Sequence, residues 1–140
     1  MEVTWIMVAS REEVRIFSRV GRRPLKLERD IGNPFGRLKN HDLESDKAGA
    51  ANDNRMRHRP AYSTEESAKE RSLKDFYREV CEQLDHALSI HQFDRLVLIA
   101  EPRLLGYIRG ILSRNVERAV SNTIPKDLSA ERDQEIESRL

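Results

Sequence analysis

The chain has 140 residues, which is enough for one domain with a buried core and makes a second domain unexpected. Its 25 basic and 24 acidic residues leave a formal net charge of +1, so any binding to nucleic acid or an anionic membrane must be local. The single cysteine, Cys81, excludes an internal disulfide and a cysteine-rich metal site. Because there is no apolar run of about 18 residues and no signal-peptide pattern, we expect a cytoplasmic protein without membrane insertion.

Three strand-like segments open the chain. Residues 4–9 are rich in β-branched and aromatic side chains, and residues 14–20 resume the pattern after a short polar link, which predicts a hairpin. Residues 25–30 alternate apolar with charged side chains, as a half-buried edge strand does. We therefore predict a three-stranded meander.

A long polar segment follows the meander. From residue 31 to about residue 62, large apolar side chains are sparse and no period holds. A loop of about 30 residues is long for a compact domain, and such loops are usually functional or disordered. We predict one long loop here and leave open whether it is ordered.

A helix is predicted after this loop. Ser63 and Glu66 match a capping box, in which the serine hydroxyl accepts from the Glu66 amide while the Glu66 side chain reaches back. Apolar side chains then recur at spacings of three and four as far as Ser89, which gives a stripe that must pack on the sheet. The stripe consists of Leu73, Phe76, Tyr77, Val80, Leu84, Ala87 and Leu88, and Cys81 lies beside it.

The stretch LVLIAEPRLLG predicts a buried strand that is followed directly by a helix. Residues 95–100 are apolar at every position after the first, which is typical of a central strand covered on both faces. Pro102 fits the first turn of a helix, so we expect Glu101 to cap it. Gly106 and Gly110 share one face of that helix and would permit a close approach to a neighbour.

The end of the chain is predicted to hold a strand near residues 118–124, a turn at residues 125–127 and a charged helix that Ser129 caps. The element order is then βββ–loop–αβαβα. We predict a single α/β domain over residues 1–140, with a mixed five-stranded sheet flanked by helices and right-handed crossover connections. A ribonuclease H-like topology fits this order.

Four polar side chains follow the two strands in the second half of the chain. Glu101 and Arg103 come after the central strand, and Lys126 and Asp127 come after the last one. Ligands favour the carboxyl ends of strands in α/β sheets, so these four residues mark a candidate ligand cleft. Helix capping and turn formation are the alternative roles.

The predicted loop contains a basic cluster formed by Arg55, Arg57, His58 and Arg59. Guanidinium groups make bidentate contacts with phosphate, so these residues are candidates for binding RNA or another anion. Ordinary surface charge is the alternative. Tyr62, Tyr77 and Tyr107 show no base-stacking pattern in the sequence; Tyr77 fits the helix core, and only the loop residue Tyr62 is free for such a role.

No catalytic set is recognisable. A ribonuclease H-like nuclease commonly places a carboxylate on its first strand, and residues 4–9 contain none. We predict no metal site and no cofactor; His41, Asp42 and Asp46 could hold a divalent cation, but in a polar loop the pattern favours a solvated charge cluster. The sequence thus favours a non-catalytic protein. The alternative is a phosphoester or ester hydrolase whose site combines His41, Asp42, Asp46 or His58 with Glu101 and Asp127, if the loop folds onto the carboxyl ends of the strands.

The segment LVLIAEPRLLG at residues 96–106, with KDL at 126–128 and DKAG at 46–49, resembles the bacterial family of host attachment proteins. The resemblance runs over nearly the whole chain. The family's name implies a role in the attachment of a bacterium to its host. For a chain without a secretion signal, the resemblance implies an indirect role.

More distantly, the chain resembles the middle domain of archaeal and eukaryotic peptide-chain release factors, which has the same order of elements. In those factors the excursion before the long helix carries Gly-Gly-Gln, which promotes peptidyl-tRNA hydrolysis in the ribosome. Residues 31–62 contain no glutamine, so this role is not carried over. The resemblance still implies contact with RNA or a ribosome, because phosphate contact needs only positioned guanidinium groups. A protein partner is the other expectation, and the oligomeric state is left open.

Overall fold

The computed structural model describes residues 1–34 and 68–140, together with the helical backbone of residues 58–67. Within these residues it contains five strands and four helices, and it confirms the predicted α/β class with a mixed five-stranded sheet. In chain order the elements are β1 Val3–Ala9, β2 Glu13–Val20, β3 Lys26–Gly32, α1 His58–Ser89, β4 Arg95–Ile99, α2 Pro102–Ile111, α3 Arg114–Ala119, β5 Val120–Ile124 and α4 Asp133–Arg139.

The sheet has the strand order β3-β2-β1-β4-β5, with β1 at its centre. β1 pairs antiparallel with β2 and parallel with β4, and β5 adds parallel to β4. The carboxyl ends of β1, β4 and β5 therefore meet along one end of the sheet, which we call the carboxyl end. The turn between β1 and β2 lies at the same end.

Each face of the sheet has its own core. Trp5 and Met7 of β1 join the cluster that α1, α2 and α3 cover, whereas Ile6 and Val8 join a smaller cluster on the opposite face. The smaller cluster is closed by Leu128 and Ile136 from the C-terminal segment. Because helical or irregular segments cover both faces, β1 and β4 can be apolar at consecutive positions, as was predicted for β4.

The edge strand β3 differs from the predicted half-buried pattern. The β2–β3 ladder passes from the pair Ile16 and Arg29 to the pair Phe17 and Leu27, and it skips Glu28. This irregularity moves Leu27 to the face of the sheet that carries Phe17. The side chain of Leu27 is 49% exposed there, so it contributes little to either core.

The boundaries of the predicted loop were too wide. β3 continues to Gly32 and α1 begins at His58, so the predicted capping box at Ser63 and Glu66 does not start this helix. Pro60 lies in the first turn of α1, where its missing N–H removes no helical hydrogen bond. The remainder of the loop prediction lies outside the described residues.

The end of α1 at Ser89 was predicted correctly, and the backbone beyond it explains the sharp stop. The Gln92 amide donates to the Ala87 carbonyl at 2.9 Å, and the His91 amide donates to the Leu88 carbonyl at 3.0 Å. His91 has a φ of 59°, so these bonds form a Schellman motif with a histidine in the usual glycine position. The motif turns the chain from α1 towards β4.

Two further differences lie near the C-terminus. The short helix α3 was not predicted, and it includes residues 118 and 119, where a strand was expected to begin. Ser113 caps α3 by accepting from the Val116 amide at 3.1 Å. Val116 is the one buried side chain of this helix, so its sequence has no apolar period. Ser129 does not cap α4, which begins at Asp133 without a side-chain cap.

The glycines of α2 do not serve the close packing that their spacing suggested. Gly106 and Gly110 are both exposed, and a Cβ atom added to either would meet no described atom within 4 Å. The buried face of α2 is instead formed by Leu104, Leu105 and Ile108. Helix packing here depends on that apolar stripe rather than on the absence of side chains.

Arg15 of β2 holds the C-terminal segment against the second face of the sheet. Its Nη2 donates to the carbonyls of Leu128, Ser129 and Glu131 at 3.3, 2.9 and 3.1 Å. Its Nη1 lies 3.9 Å from the carboxylate of Asp133, the first residue of α4. The side chain is only 16% exposed, and the Leu128 carbonyl also accepts from the Glu131 amide at 3.0 Å, so loss of Arg15 would remove the donor that it provides to the Ser129 and Glu131 carbonyls.

Cys81 and Tyr77 of α1 are buried groups that can lose a proton at alkaline pH. They should make the free energy of unfolding fall as the pH rises above about 9. Burial raises the pKa of the Cys81 thiol from 9.0 to about 12, and it also raises the pKa of Tyr77 above its ordinary value of 10.0. Above about pH 9 the unfolded chain loses the Cys81 proton while the folded chain retains it, so the free energy of unfolding should fall by roughly 1 kcal/mol per pH unit. Urea unfolding at pH 8, 9 and 10 measures this slope. In Cys81→Ala the fall should begin about one pH unit higher, and an unchanged profile would contradict the assignment.

Candidate functional site

Glu101, one of the four predicted cleft residues, begins α2. Its Oε1 accepts a hydrogen bond from the Leu104 amide at 2.8 Å, and Pro102 occupies the first helical position. This confirms the predicted cap. The hydrogen bond engages one oxygen of the Glu101 carboxylate. The capped first turn also fixes the backbone position of Arg103.

Lys126 and Asp127 form the turn that follows β5. The Lys126 amide donates to the Ile124 carbonyl at 2.9 Å, and Asp127 Oδ1 accepts from the Ser129 hydroxyl at 2.5 Å and the Ser129 amide at 3.0 Å. These hydrogen bonds from Ser129 hold the pKa of the Asp127 carboxyl below its ordinary value. Both residues therefore form a turn, which was the alternative to a role in a ligand cleft.

A cleft of about 380 Å³ opens at the carboxyl end of the sheet, between the β1–β2 turn, α1 and α2. We call it the α1–α2 cleft. It contains two of the four predicted residues, Glu101 and Arg103, whereas Lys126 and Asp127 are not among those lining it. The lining residues are Arg11, Glu70, Leu73, Lys74, Glu101, Arg103, Leu104 and Tyr107.

Three cations from three different elements surround the α1–α2 cleft. Arg11 comes from the β1–β2 turn, Lys74 from α1 and Arg103 from α2, and all three are exposed. None of them forms an ion pair with another residue in the described part of the chain. The facing carboxylates are Glu70 and Glu101, of which Glu101 is engaged by α2. Positive charge therefore predominates around the cleft and is available to an anion.

The floor of the α1–α2 cleft is apolar and aromatic. Leu104 is 4% exposed and belongs to the larger core, while Leu73 and Tyr107 pack against that core and remain partly exposed. Burial raises the pKa of the Tyr107 phenol above its ordinary value of 10.0. The site thus combines an aromatic surface with a cationic rim.

The β1–β2 turn that carries Arg11 is held rigidly in place. Ser10 Oγ accepts from the Glu12 amide at 3.2 Å and from the Glu13 amide at 3.1 Å. The hydroxyl of Tyr77, a buried residue of α1, donates to the Ser10 carbonyl. The helix that supplies Lys74 is thereby tied directly to the turn that supplies Arg11.

Asn33 fixes the same turn from the other side. It is the one polar side chain that is fully buried among the described residues, with 4% exposed. Its Nδ2 donates to the Arg11 carbonyl at 3.1 Å, and its backbone amide donates to the Glu12 carbonyl at 2.8 Å. The backbone of Arg11 is therefore positioned before any ligand binds, which reduces the entropy that binding must overcome.

Sequence reasoning missed Arg11, Lys74 and Tyr107. They lie far apart along the chain, and nothing in their local pattern indicates that α1 and α2 bring them together. The residues next to Tyr107 in the sequence give no sign of a base-stacking site. In the folded chain Tyr107 lines the same cleft as three cations.

The remaining sequence candidates are not placed by the structure. Residues 41, 42, 46, 55 and 57 lie outside the described residues, and residues 58 and 59 begin α1 with side chains that are not described. Within the described chain no three His, Cys, Asp or Glu side chains lie close enough to share a metal ion. None of the described helices is both long and apolar enough to cross a membrane.

The sequence model of one protein family matches residues 5–140, and that family is described as "Protein required for attachment to host cells". The chain belongs to this family. Among curated proteins, the uncharacterised protein RP470 of Rickettsia prowazekii (strain Madrid E) is 28% identical to it over 108 residues, which are 76% of this chain and 67% of the relative. The host attachment family resemblance that the sequence motifs suggested is thereby confirmed.

Solved structures resemble the fold of this host-attachment chain. An archaeal translation termination factor, aRF1, superposes with a TM-score of 0.55 at 10% identity over 86% of this chain. A second structure, described as an archaeal protein, superposes with a TM-score of 0.51 at 9% identity over 98% of this chain. The chain spans 29% and 35% of the lengths of those two proteins. At such low identity the likeness shows a shared fold, and it confirms the predicted release-factor-like architecture.

Proposed function

We propose that this host-attachment family chain is a non-catalytic RNA-binding protein that contacts RNA, free or in a ribosome, at the carboxyl end of its sheet. The observation that carries the proposal is a set of three cations around the α1–α2 cleft, Arg11, Lys74 and Arg103, that form no ion pair with any described residue. Arginine and lysine bind phosphate oxygens without regard to base sequence. Such contacts need positioned charge and no catalytic group.

The basic cluster of Arg55, Arg57, His58 and Arg59 also supports the proposal of RNA binding. His58 and Arg59 are the first residues of α1, and Arg55 and Arg57 immediately precede them. Glu70 and Lys74 further along the same helix line the α1–α2 cleft. We propose that the basic cluster extends the phosphate-binding surface beyond the cleft.

The likeness to an archaeal translation termination factor supports a ribosome as the source of the RNA. That factor is a longer protein, and this chain lacks the glutamine motif of the release factors between residues 31 and 62. A ribosome partner implies a cytoplasmic location. In this proposal the family's role in host attachment is an indirect consequence of RNA binding.

The described residues lend no support to the hydrolase alternative. It required Glu101 and Asp127 to meet side chains of the loop, but each of these carboxylates already caps its own turn or helix. The two do not line a common cleft among those described. The loop histidines and carboxylates on which that alternative depends lie outside the described residues or have undescribed side chains.

Binding to RNA from a cell lysate at increasing salt tests the proposal. We expect the parent chain to recover RNA or ribosomes, and we expect added salt or nuclease to abolish the recovery. Arg11→Ala with Lys74→Ala and Arg103→Ala should weaken binding at least about tenfold and reduce the salt dependence by up to ~0.7 per lost phosphate contact. Arg55→Ala with Arg57→Ala and Arg59→Ala should also weaken binding. The melting temperature of the Arg11, Lys74 and Arg103 triple should fall by only a few degrees, because these three side chains are exposed.

A matched control separates local binding from the loss of three charges. Arg22, Arg23 and Arg118 are exposed and lie at the opposite end of the sheet, where β2 ends and β5 begins. Their triple replacement by alanine should leave RNA binding within about twofold of the parent, because screening at physiological salt limits such charges to about 8 Å. Equal losses in all three triples, or no RNA with the parent chain, would overturn the proposal.

A further inference from the structure

We infer that the α1–α2 cleft seats one unstacked nucleotide, with its base on Tyr107 and its phosphate between Arg11, Lys74 and Arg103. This inference rests on the proposed function and specifies its ligand. The shared chemistry is a nucleoside phosphate, which could be supplied by single-stranded RNA or by a free mononucleotide. The structural basis is one cavity that joins an apolar floor to a rim of cations that have no ion-pair partner in the part of the chain that the structure describes.

The size of the cavity favours a single nucleotide over a duplex. A volume of about 380 Å³ falls at the lower end of the range of small-ligand pockets, roughly 300 to 1,000 Å³. One base with its sugar and phosphate fits such a space, whereas a base-paired helix presents its bases only as stacked edges. A nucleotide that enters must therefore be unpaired and turned out of any stack.

The floor provides the surface on which a base can stack. Tyr107 is partly exposed at the cleft, and the partly exposed Leu73 and the buried Leu104 line the same cleft. An aromatic ring beside a cationic groove is the usual arrangement in proteins that bind single strands, because every base has a π face. Tyr107 can therefore bind any of the four bases.

The rim provides cations for the phosphate of a nucleotide and a carboxylate that can accept hydrogen bonds from its sugar or base. Arg11 and Arg103 can each make a bidentate contact with phosphate, and Lys74 adds a third positive charge. Glu70, one helical turn before Lys74 on α1, is the carboxylate of the rim that no described hydrogen bond occupies. Its oxygens can accept from a ribose hydroxyl or a base N–H group.

The backbone around the cleft is organised before binding. The β1–β2 turn is tied to α1 through the Tyr77 hydroxyl and to the residue that follows β3, the buried Asn33. The first turn of α2 is fixed by the Glu101 cap. Since three separate elements hold the walls, the spacing between the aromatic floor and the cationic rim is a property of the fold.

The test compares three ligands on the full chain: an unstructured RNA octamer, a blunt RNA duplex of eight base pairs and AMP. Fluorescence anisotropy with labelled RNA and calorimetry with AMP give the affinities. Tyr107→Leu should weaken octamer binding by about 5- to 150-fold, which corresponds to the loss of one stacked base. Tyr107→Phe retains the ring and should bind within about threefold of the parent. Duplex binding should be unchanged in both variants.

The relative affinities identify the source of the nucleotide. An octamer that binds at least tenfold more tightly than AMP assigns the cleft to an RNA strand, and equal affinities assign it to a free mononucleotide. Either result supports the inference if it depends on Tyr107. Octamer binding that is the same in Tyr107→Leu and in the parent would overturn it, as would the absence of binding to both octamer and AMP.

The two proposals fail in different ways. Loss of RNA binding in the triple variant of Arg11, Lys74 and Arg103, without any effect of Tyr107→Leu, leaves the proposed function standing and overturns the nucleotide site. Tyr107-dependent AMP binding without RNA binding does the reverse. A thermal melt of each variant checks that the partly exposed Tyr107 position tolerates the change.

Discussion

We expect Leu98→Ala to lower the free energy of unfolding by about 2 to 5 kcal/mol. Leu98 is 1% exposed and belongs to the larger core, where β4 lies between β1 and β5 with Met7 and Thr123 as its neighbours in register. The shortened side chain would leave a cavity, because neighbouring strands and the helices above cannot collapse fully into it. Urea unfolding monitored by circular dichroism measures the change.

Leu27→Ala is the matched control for this substitution. It makes the same chemical change in a strand of the same sheet, but Leu27 is 49% exposed at the edge. We expect a loss of no more than about 0.5 kcal/mol, as for most surface positions. If Leu98→Ala lowers the free energy of unfolding by less than about 1 kcal/mol, or if both variants lower it by a similar amount, Leu98 does not pack in the core as described.

Arg15→Met should destabilise the chain by about 2 to 4 kcal/mol and release α4 from the sheet. The guanidinium of Arg15 is a hydrogen-bond donor to three backbone carbonyls and lies near the Asp133 carboxylate. Methionine can cover Phe17 as the arginine does, but it donates no hydrogen bond, so the carbonyls of Ser129 and Glu131 lose the donor that Arg15 provides. Chemical denaturation gives the free energy, and amide hydrogen exchange in residues 133–139 reports on α4.

Arg22→Met provides the comparison for this prediction. Arg22 is exposed in the turn after β2, and no hydrogen bond or ion pair to it is present among the described residues. Its replacement should change stability by less than about 0.5 kcal/mol and leave exchange in α4 unchanged. If Arg15→Met behaves in the same way, the apolar contacts of Leu128 and Ile136 and the hydrogen bond from the Leu25 amide to Glu137 hold the C-terminal segment without Arg15.

The two destabilising variants act on opposite faces of the sheet, and the α1–α2 cleft lies on the face that carries Leu98. Arg15 and the C-terminal segment lie on the other face. Residual RNA binding by folded Arg15→Met chains would therefore show that the proposed site does not depend on α4. This separation allows stability and binding to be measured independently.

The sequence predicted most of the elements because each has a local cause. The capped start of α2 depends on Glu101 and Pro102, which are adjacent, and both were read correctly from the chain. The apolar stripe of α1 and the continuous apolarity of β4 were equally informative. The short helix α3 was missed because a helix of six residues with one buried side chain has no apolar period.

The candidate site was only half predictable. Glu101 and Arg103 could be named because they follow a buried strand, and Lys126 and Asp127 were named for the same reason. The cleft then separated the two pairs: Glu101 and Arg103 line it, whereas Lys126 and Asp127 are not among its lining residues. No property of the sequence distinguishes these outcomes, since both pairs follow strands of the same sheet.

The sequence by itself determined the α/β class, the order of its main elements and the family, because periodicity, capping and family motifs are written in neighbouring residues. Only the tertiary structure decided that Arg11, Lys74 and Tyr107 share one cleft with Arg103. These residues belong to a turn and two helices that are brought together by the burial of both sheet faces and by the bonds from Tyr77 and Asn33. Such contacts connect positions distant in sequence, so the site exists only when the whole sheet has formed.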